Sequence, residues 1–377
     1  MPSTDARPAG TRLVGVELRE VKLPLVEAFV TSTGTETDRE ALLVRAVTPL
    51  GEGWGECVAG SAPHYSAEYA AEAREVITRF LLPRLAAGGW STAEEVAGAL
   101  AGVKGHPMAK AALESAILDA ELRAAGVPLA THLGGVRRRV PAGVAVGITA
   151  SVGELVDLVE GYLGSGYRRV KLKIRPGWDV VPVAAVRERF GDVALQVDAN
   201  GAYTLADTDA LAALDPFELL LVEQPLADDD LVGHAQLARR IRTPICLDES
   251  ITSSGSAAAA IALGSCSVVN LKPGRVGGLL EARRVHDLCL AHQVPVWCGG
   301  MLETGVGRAA NVALATLAGF TLPGDLSASE RYFATDITPP FVLDDGHLDV
   351  PRGPGIGVDP LPEVLRRLTV RSEWVRL

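Results

Sequence analysis

No two of the five cysteines, Cys57, Cys246, Cys266, Cys289 and Cys298, stand in a CxxC or zinc-ligand spacing. That absence excludes a dithiol redox centre and a cysteine-built zinc site. Cys246, Cys266 and Cys298 lie in or beside apolar strand-like runs, where a thiol is usually a small buried hydrophobe. Their odd number and scatter suit a reducing, cytoplasmic setting. There is no basic surplus either: the net charge is −10, without a cationic run, so nucleic acid is not an expected partner. No apolar stretch approaches the roughly 18 residues of a membrane span, and the opening MPSTDARPAG lacks the apolar centre of a secretory signal. A soluble globular protein is expected, with 48% hydrophobic and 22% charged residues.

What the chain does have is a beat. Lys173, Asp198, Glu223, Asp248 and Lys272 follow one another at gaps of 25, 25, 25 and 24 residues. Each closes a short apolar run: RRVKLKI, ALQVDAN, LLLVEQP, PICLDES and VVNLKPG. Near-continuous Val, Leu and Ile suit parallel strands buried on both faces, and a strand with its crossover helix needs about this much chain. Counting VAVGIT at Val144, VPVWCGGM at Val294 and FTLPGDLS at Phe320, the pattern yields eight strands. No clear amphipathic helix follows the eighth, so the expectation is a (β/α)7β variant of the TIM barrel, with catalytic groups at the C-terminal strand ends.

Upstream the order differs. Strand-like segments at Arg12 to Leu25 and Ala41 to Thr48 flank VEAFVTSTGTETDRE, which reads as a flexible hairpin loop. GEGWGECVAG, from Gly51, reads as a glycine-rich turn, and helices follow around residues 67–86, 93–101 and 107–125. Strands first and helices after imply a separate α+β capping domain. The expected division is a disordered tail over residues 1–11 within a capping domain at 1–137, a barrel at 138–331, and a segment at 332–377 that packs back on the capping domain.

Three carboxylates in register on consecutive strands, Asp198, Glu223 and Asp248, are oxygen ligands for a hard divalent cation, Mg²⁺ or Mn²⁺. Singly, each would read as a rim carboxylate or a helix cap. No histidine falls at a strand end in this series, and the first barrel strand reads VAVGI without an HxH, which disfavours zinc. Lys171 and Lys173 share one strand face, while Lys272, four strands on, belongs to the opposite wall. The lysines are either counter-ions of the carboxylates or functional amines, because an isolated buried ammonium is costly. Near a cation and another amine, a lysine pKa falls toward neutrality, as a general base requires. Facing amines across a cation suit removal of a proton from the carbon beside a carboxylate.

These residues resemble the enolase superfamily. The matching pieces are KLK at Lys171, VDAN at Asp198, EQP at Glu223, DES at Asp248 and KPGRVGG at Lys272. The likeness is to the muconate-lactonizing-enzyme subgroup, and within it to the o-succinylbenzoate synthase and N-succinylamino acid (N-acylamino acid) racemase branch. It implies Mg²⁺ on Asp198, Glu223 and Asp248, Lys173 and Lys272 as the acid/base pair, and Lys171 as an electrostatic aid. It implies further that Phe29 and Thr33 belong to a lid completed by the turn near Gly51. Gly299, Met301, Leu302 and Glu303 would line the acyl side, Asn200 would stand beside the metal ligands, and Arg275 would tune Lys272. The implied substrate is a small carboxylate, with dehydration to o-succinylbenzoate for menaquinone synthesis or racemisation as the reaction, in a homo-oligomer. Muconate cycloisomerisation is a further possibility, although AFVTSTGTETDRE carries a single basic residue, Arg39. The eighth strand reads GDLS, without the DxD of dipeptide epimerases, and a non-catalytic scaffold is disfavoured because no base is missing.

Overall fold

The computed structural model describes residues 13–32, 34–88 and 92–377; the expected tail at 1–11 and Thr33 lie outside them. Strands here are numbered in chain order. An antiparallel four-stranded sheet joins β1 (Gly15–Val30), β2 (Thr35–Thr48) and β3 (Gly51–Cys57) to the last strand, β13 (Thr369–Arg376), in the order β13-β1-β2-β3. Gly15 pairs with Arg376 and Glu20 with Arg371, so the chain's end completes the edge of its first sheet.

GEGWGEC is a strand, not a turn, and packing explains why. A β-carbon on Gly53 would stand 2.1 Å from the Ala120 nitrogen, and one on Gly55 would stand 2.2 Å from the Ala112 oxygen. The glycines alternate along β3 and meet the alanine row 112, 116, 120 of the helix Pro107–Ala125, a row spaced one helical turn apart. Small residues on both elements let the backbones touch.

The supposed hairpin loop is also mostly ladder. Phe29 pairs with Glu36 and Val30 with Thr35, leaving a tight turn closed by Thr31 N–H donating to the Gly34 carbonyl at 2.9 Å. Its Thr-rich sequence conceals strand pairing because one face of this arm rests on the barrel. Ile148 N–H donates to the Val30 carbonyl at 3.0 Å, and Ser32 Oγ to the Ala199 carbonyl at 3.3 Å.

The second layer is a parallel sheet of seven strands: β5 (Val144–Val146), β6 (Arg169–Lys173), β7 (Ala194–Asp198), β8 (Val222–Glu223), β9 (Ile245–Leu247), β10 (Val268–Leu271) and β11 (Val296–Cys298), adjacent in chain order. The eighth segment closes the ring with single bridges rather than a full strand. Phe320 pairs with Val296 on one side and Gly324 with Ala142 on the other. Every residue of β6 is buried, as the apolar runs require.

The segment after 332 divides its contacts. β13 joins the capping sheet, but β12 (His347–Asp349) pairs with β4 (Arg139–Pro141) at the entry to the barrel. The expectation that all of it packs on the capping domain is corrected to that extent: a Gly-turned hairpin at Asp345–Gly346 folds the chain onto the barrel first.

Candidate active site

The pleat of β6 sends alternate side chains into the barrel, so Arg169, Lys171 and Lys173 share its interior. The register sets Lys173 opposite Asp198 and Asp198 opposite Glu223. Asp248 follows β9, and Lys272 follows β10, four strands from Lys173 in the sheet order. All five ends of the beat converge on one mouth, and all five residues are buried.

Within it, the Lys173 amine donates to Asp198 Oδ2 at 2.7 Å and Asn200 Oδ1 at 2.7 Å. The Lys171 amine sits among three acids: Asp325 Oδ2 at 2.5 Å, Glu223 Oε2 at 2.9 Å and Asp198 Oδ2 at 3.1 Å. Lys272 donates to Asp248 Oδ2 at 2.7 Å and to the Tyr65 hydroxyl at 2.9 Å. Arg275 also binds Asp248, through Oδ1, and Asn270 donates to Glu223 Oε1 at 2.6 Å.

Electrostatics follow from these pairings. Burial opposes charge on Lys171, but Asp325, Glu223 and Asp198 override it and hold its pKa above the usual range for lysine. Burial is likewise overridden at Lys272, chiefly by Tyr65 and Glu249. These directions belong to Lys171 and Lys272 among the protein's own groups; the lowering toward neutrality is the expectation for an amine beside a bound cation. Burial raises Glu223, with the Asp198 charge adding to it, whereas the adjoining lysines overcome burial at Asp198 and keep it below its ordinary value.

Among the described residues no three acidic, histidine or cysteine side chains meet closely enough to hold an ion as they stand. As the side chains stand, Lys171 lies between Asp198 and Glu223, and Lys272 with Arg275 binds Asp248. The donor set still suits a hard cation. The buried carboxylates Asp198, Glu223 and Asp248 crowd these strand ends, and the half-buried Glu249 beside them keeps a buried Oε2 without a hydrogen-bond partner among the described residues.

A cavity of about 280 Å³ opens over the amines. Lys171, Lys173, Lys272 and Asn200 form its floor, with Phe29, Met301 and Leu302 among its walls. Gly299 lies beneath, where a β-carbon would come within 2.5 Å of the Lys272 Cε. Glu303 does not reach the cavity; its carboxylate is held by Arg308 Nε at 3.0 Å, Asn311 Nδ2 at 2.9 Å and the Met301 N–H at 2.6 Å. Residues between Gly60 and Tyr65 also wall the cavity, whereas the turn near Gly51 does not line it and leads into β3.

Sequence reasoning missed Asp325 and Tyr65. Asp325 ends the eighth segment, on the same rim as the beat residues, and accepts from Arg169 Nη1 at 2.6 Å as well as from Lys171. GDLS drew notice only for the motif it lacks, although its acid occupies a strand end. Arg169, two residues before Lys171, was the signal that this face is lined with cations in need of acids. Tyr65 sits in a loop with no periodicity to mark it.

A profile of the family described as Enolase C-terminal domain-like matches residues 154–364. The chain is 63% identical to an N-succinylamino acid racemase from Amycolatopsis sp, over 97% of this chain and 99% of that protein. It is 49% identical to an o-succinylbenzoate synthase from Geobacillus kaustophilus, over 91% of this chain and 92% of the other. This chain belongs to the enolase superfamily. A crystal structure of a superfamily member from Listeria innocua superimposes with a TM-score of 0.93 at 39% identity, covering 97% of this chain and 99% of that one. The superfamily's (β/α)7β barrel and separate antiparallel layer are the two layers described above, and its members generally use a divalent metal.

Proposed function

We propose that this enolase-superfamily chain removes a proton from the carbon beside a carboxylate, as an o-succinylbenzoate synthase and an N-succinylamino acid racemase. One observation carries the reading: Lys173 and Lys272 come from strands four apart and open into the same cavity above a bed of buried carboxylates. Two relatives, at 63% and 49% identity, bear these two names.

Asp198, Glu223 and Asp248 would hold a divalent cation, Mg²⁺ by the preference of oxygen-only donors. When bound, it would supply positive charge for the substrate carboxylate and for the negative charge that builds on proton loss. The chain's own groups do the rest. Lys173 takes the α-proton from one face. In racemisation Lys272 delivers a proton to the other face, and in dehydration Lys173 hands its proton to the departing hydroxyl. Lys171, held charged by three acids, draws the substrate carboxylate toward the floor. Asn200, which binds the amine of Lys173 and donates to Glu249 Oε1 at 2.9 Å, fixes the aim of that base. Arg275 shares Asp248 with Lys272 and so sets the charge around it.

The reading extends to setting and assembly: a cytoplasmic enzyme working as a homo-oligomer. Five thiols without a disulfide among the described residues, and no helix long and apolar enough to cross a membrane, support the setting. The test is direct. Purified protein with Mg²⁺ is assayed for o-succinylbenzoate formation and for racemisation of N-succinylamino acids, before and after chelation. Turnover of at least one substrate, lost on chelation and restored by Mg²⁺, is expected; inactivity on both defeats the assignment.

A further inference from the structure

Four cationic side chains line the cavity: Lys171, Lys173, Lys272 and Arg39. The three lysines each have a carboxylate partner. Arg39 differs. It is 2% exposed, and its Nε and Nη2 have no hydrogen-bond partner among the described residues. A buried guanidinium without an anion is expensive, so its place at a ligand cavity demands a reason.

Among the described residues no carboxylate bonds to Arg39. Of the two in the cavity wall, Asp325 is bound by Lys171 and Arg169, and Glu36 is partly open to solvent. Glu56 lies near enough to feel the Arg39 charge, yet its oxygens are taken by Thr304 N–H, Thr304 Oγ1 and Gly307 N–H. Arg39 is on β2, in register with Leu23, while the amines rise from the barrel floor. The cavity therefore has two cationic poles supplied by different layers of the fold. Between them stand neutral residues, among them Phe29, Ala62, Met301 and Leu302.

We infer that Arg39 is the anchor for a second anionic group of the substrate, a carboxylate at the far end of its acyl chain. The inference rests on the reaction proposed above and adds the residue that selects the acyl class. A guanidinium matches a carboxylate fork to fork, and a substrate anion supplies the hydrogen-bonded partner that Arg39 lacks among the described residues. Arg39 then acts as a specificity residue, favouring a charged acyl end over a neutral one of the same shape.

The experiment compares racemisation of one amino acid carrying N-succinyl or the uncharged isostere N-succinamoyl, by the Mg²⁺-loaded wild type and Arg39→Gln. The ratio of kcat/KM, succinyl over succinamoyl, is expected to fall on the order of 10- to 100-fold in Arg39→Gln, with Arg39→Lys in between. Equal losses on both substrates, leaving the ratio unchanged, would make Arg39 a purely structural group and overturn the inference. Should Arg39→Gln fail to fold, competition in the wild type decides: succinate must inhibit at lower concentration than succinamate, and equal inhibition rejects the anchor. If the wild type turns over neither substrate, the reaction assignment has failed; calorimetric titration with succinate and succinamate then judges Arg39 separately, by whether the charged ligand binds tighter.

Discussion

At the scale of single residues, the site is an exercise in sharing a few acids among many cations. Asp325 stands between Arg169 and Lys171, and both cations also lie against the Trp297 ring, at 5.3 and 4.9 Å from its centroid. Removing that acid leaves Arg169 buried with only the Pro323 carbonyl. Asp325→Asn is expected to cost about 3–5 kcal/mol, as breaking a buried pair does, read by denaturant unfolding of the purified variant. A loss under 1 kcal/mol would show that the pairing is not needed. Lys173→Ala should lower turnover by about 10²- to 10⁴-fold, the usual span for a positioned acid/base group, with little change in unfolding. Steady-state kinetics with Mg²⁺ check it.

The residues of the beat could be read from sequence because strand ends repeat at a fixed interval and chemistry collects there. Tyr65 and Arg39 could not. Tyr65 sits in an aperiodic loop, and Arg39, although the single basic residue of AFVTSTGTETDRE, carries no sequence sign that folding buries it at the cavity.

At the scale of elements, helix starts are capped from afar. The residue before the helix Leu279–Ala291 is Gly278, which has no side chain; Glu114 of the capping layer accepts from Leu280 N–H at 3.1 Å instead. Glu56 does the same for the helix Gly305–Leu314, and Glu68 for Pro107–Ala125 through Met108 and Ala109 N–H. Burial pushes each of the three carboxyls up to about 7, with the helix amides pulling the other way. Their pKa is higher folded than unfolded, so the stability they confer is full below about 4.5 and is lost as pH rises through about 7. Glu114→Gln, which keeps an accepting oxygen and loses the charge, should flatten the fall in stability between those values; an unchanged slope would contradict the assignment.

β3 offers a second check at this scale. Gly55→Ala sets a β-carbon 2.2 Å from the Ala112 carbonyl and should destabilise by roughly 1–3 kcal/mol or more, measured by thermal unfolding. The glycines of β3 misled sequence reading because glycine signals turns far more often than close backbone contact. The Thr-rich arm misled it similarly, since its partner surface is supplied by the barrel.

At the scale of the whole molecule, two layers meet to make one pocket. The barrel brings amines and acids; the arm of β1 and β2, together with Gly60–Tyr65, brings the roof and Arg39. The alternation of the barrel was plain in the sequence because each unit is local. The closing of the roof was not, because it depends on contacts between Val30 and Ile148, over a hundred residues apart. The central claim is that Lys173 and Lys272 approach the same carbon from opposite faces. α-Deuterium incorporation in D₂O, followed by NMR on each enantiomer of an N-succinylamino acid with Mg²⁺, tests it most directly. The wild type should exchange both enantiomers, Lys173→Ala only one, and Lys272→Ala only the other. A single-lysine variant that still exchanged both enantiomers at the wild-type rate would contradict it.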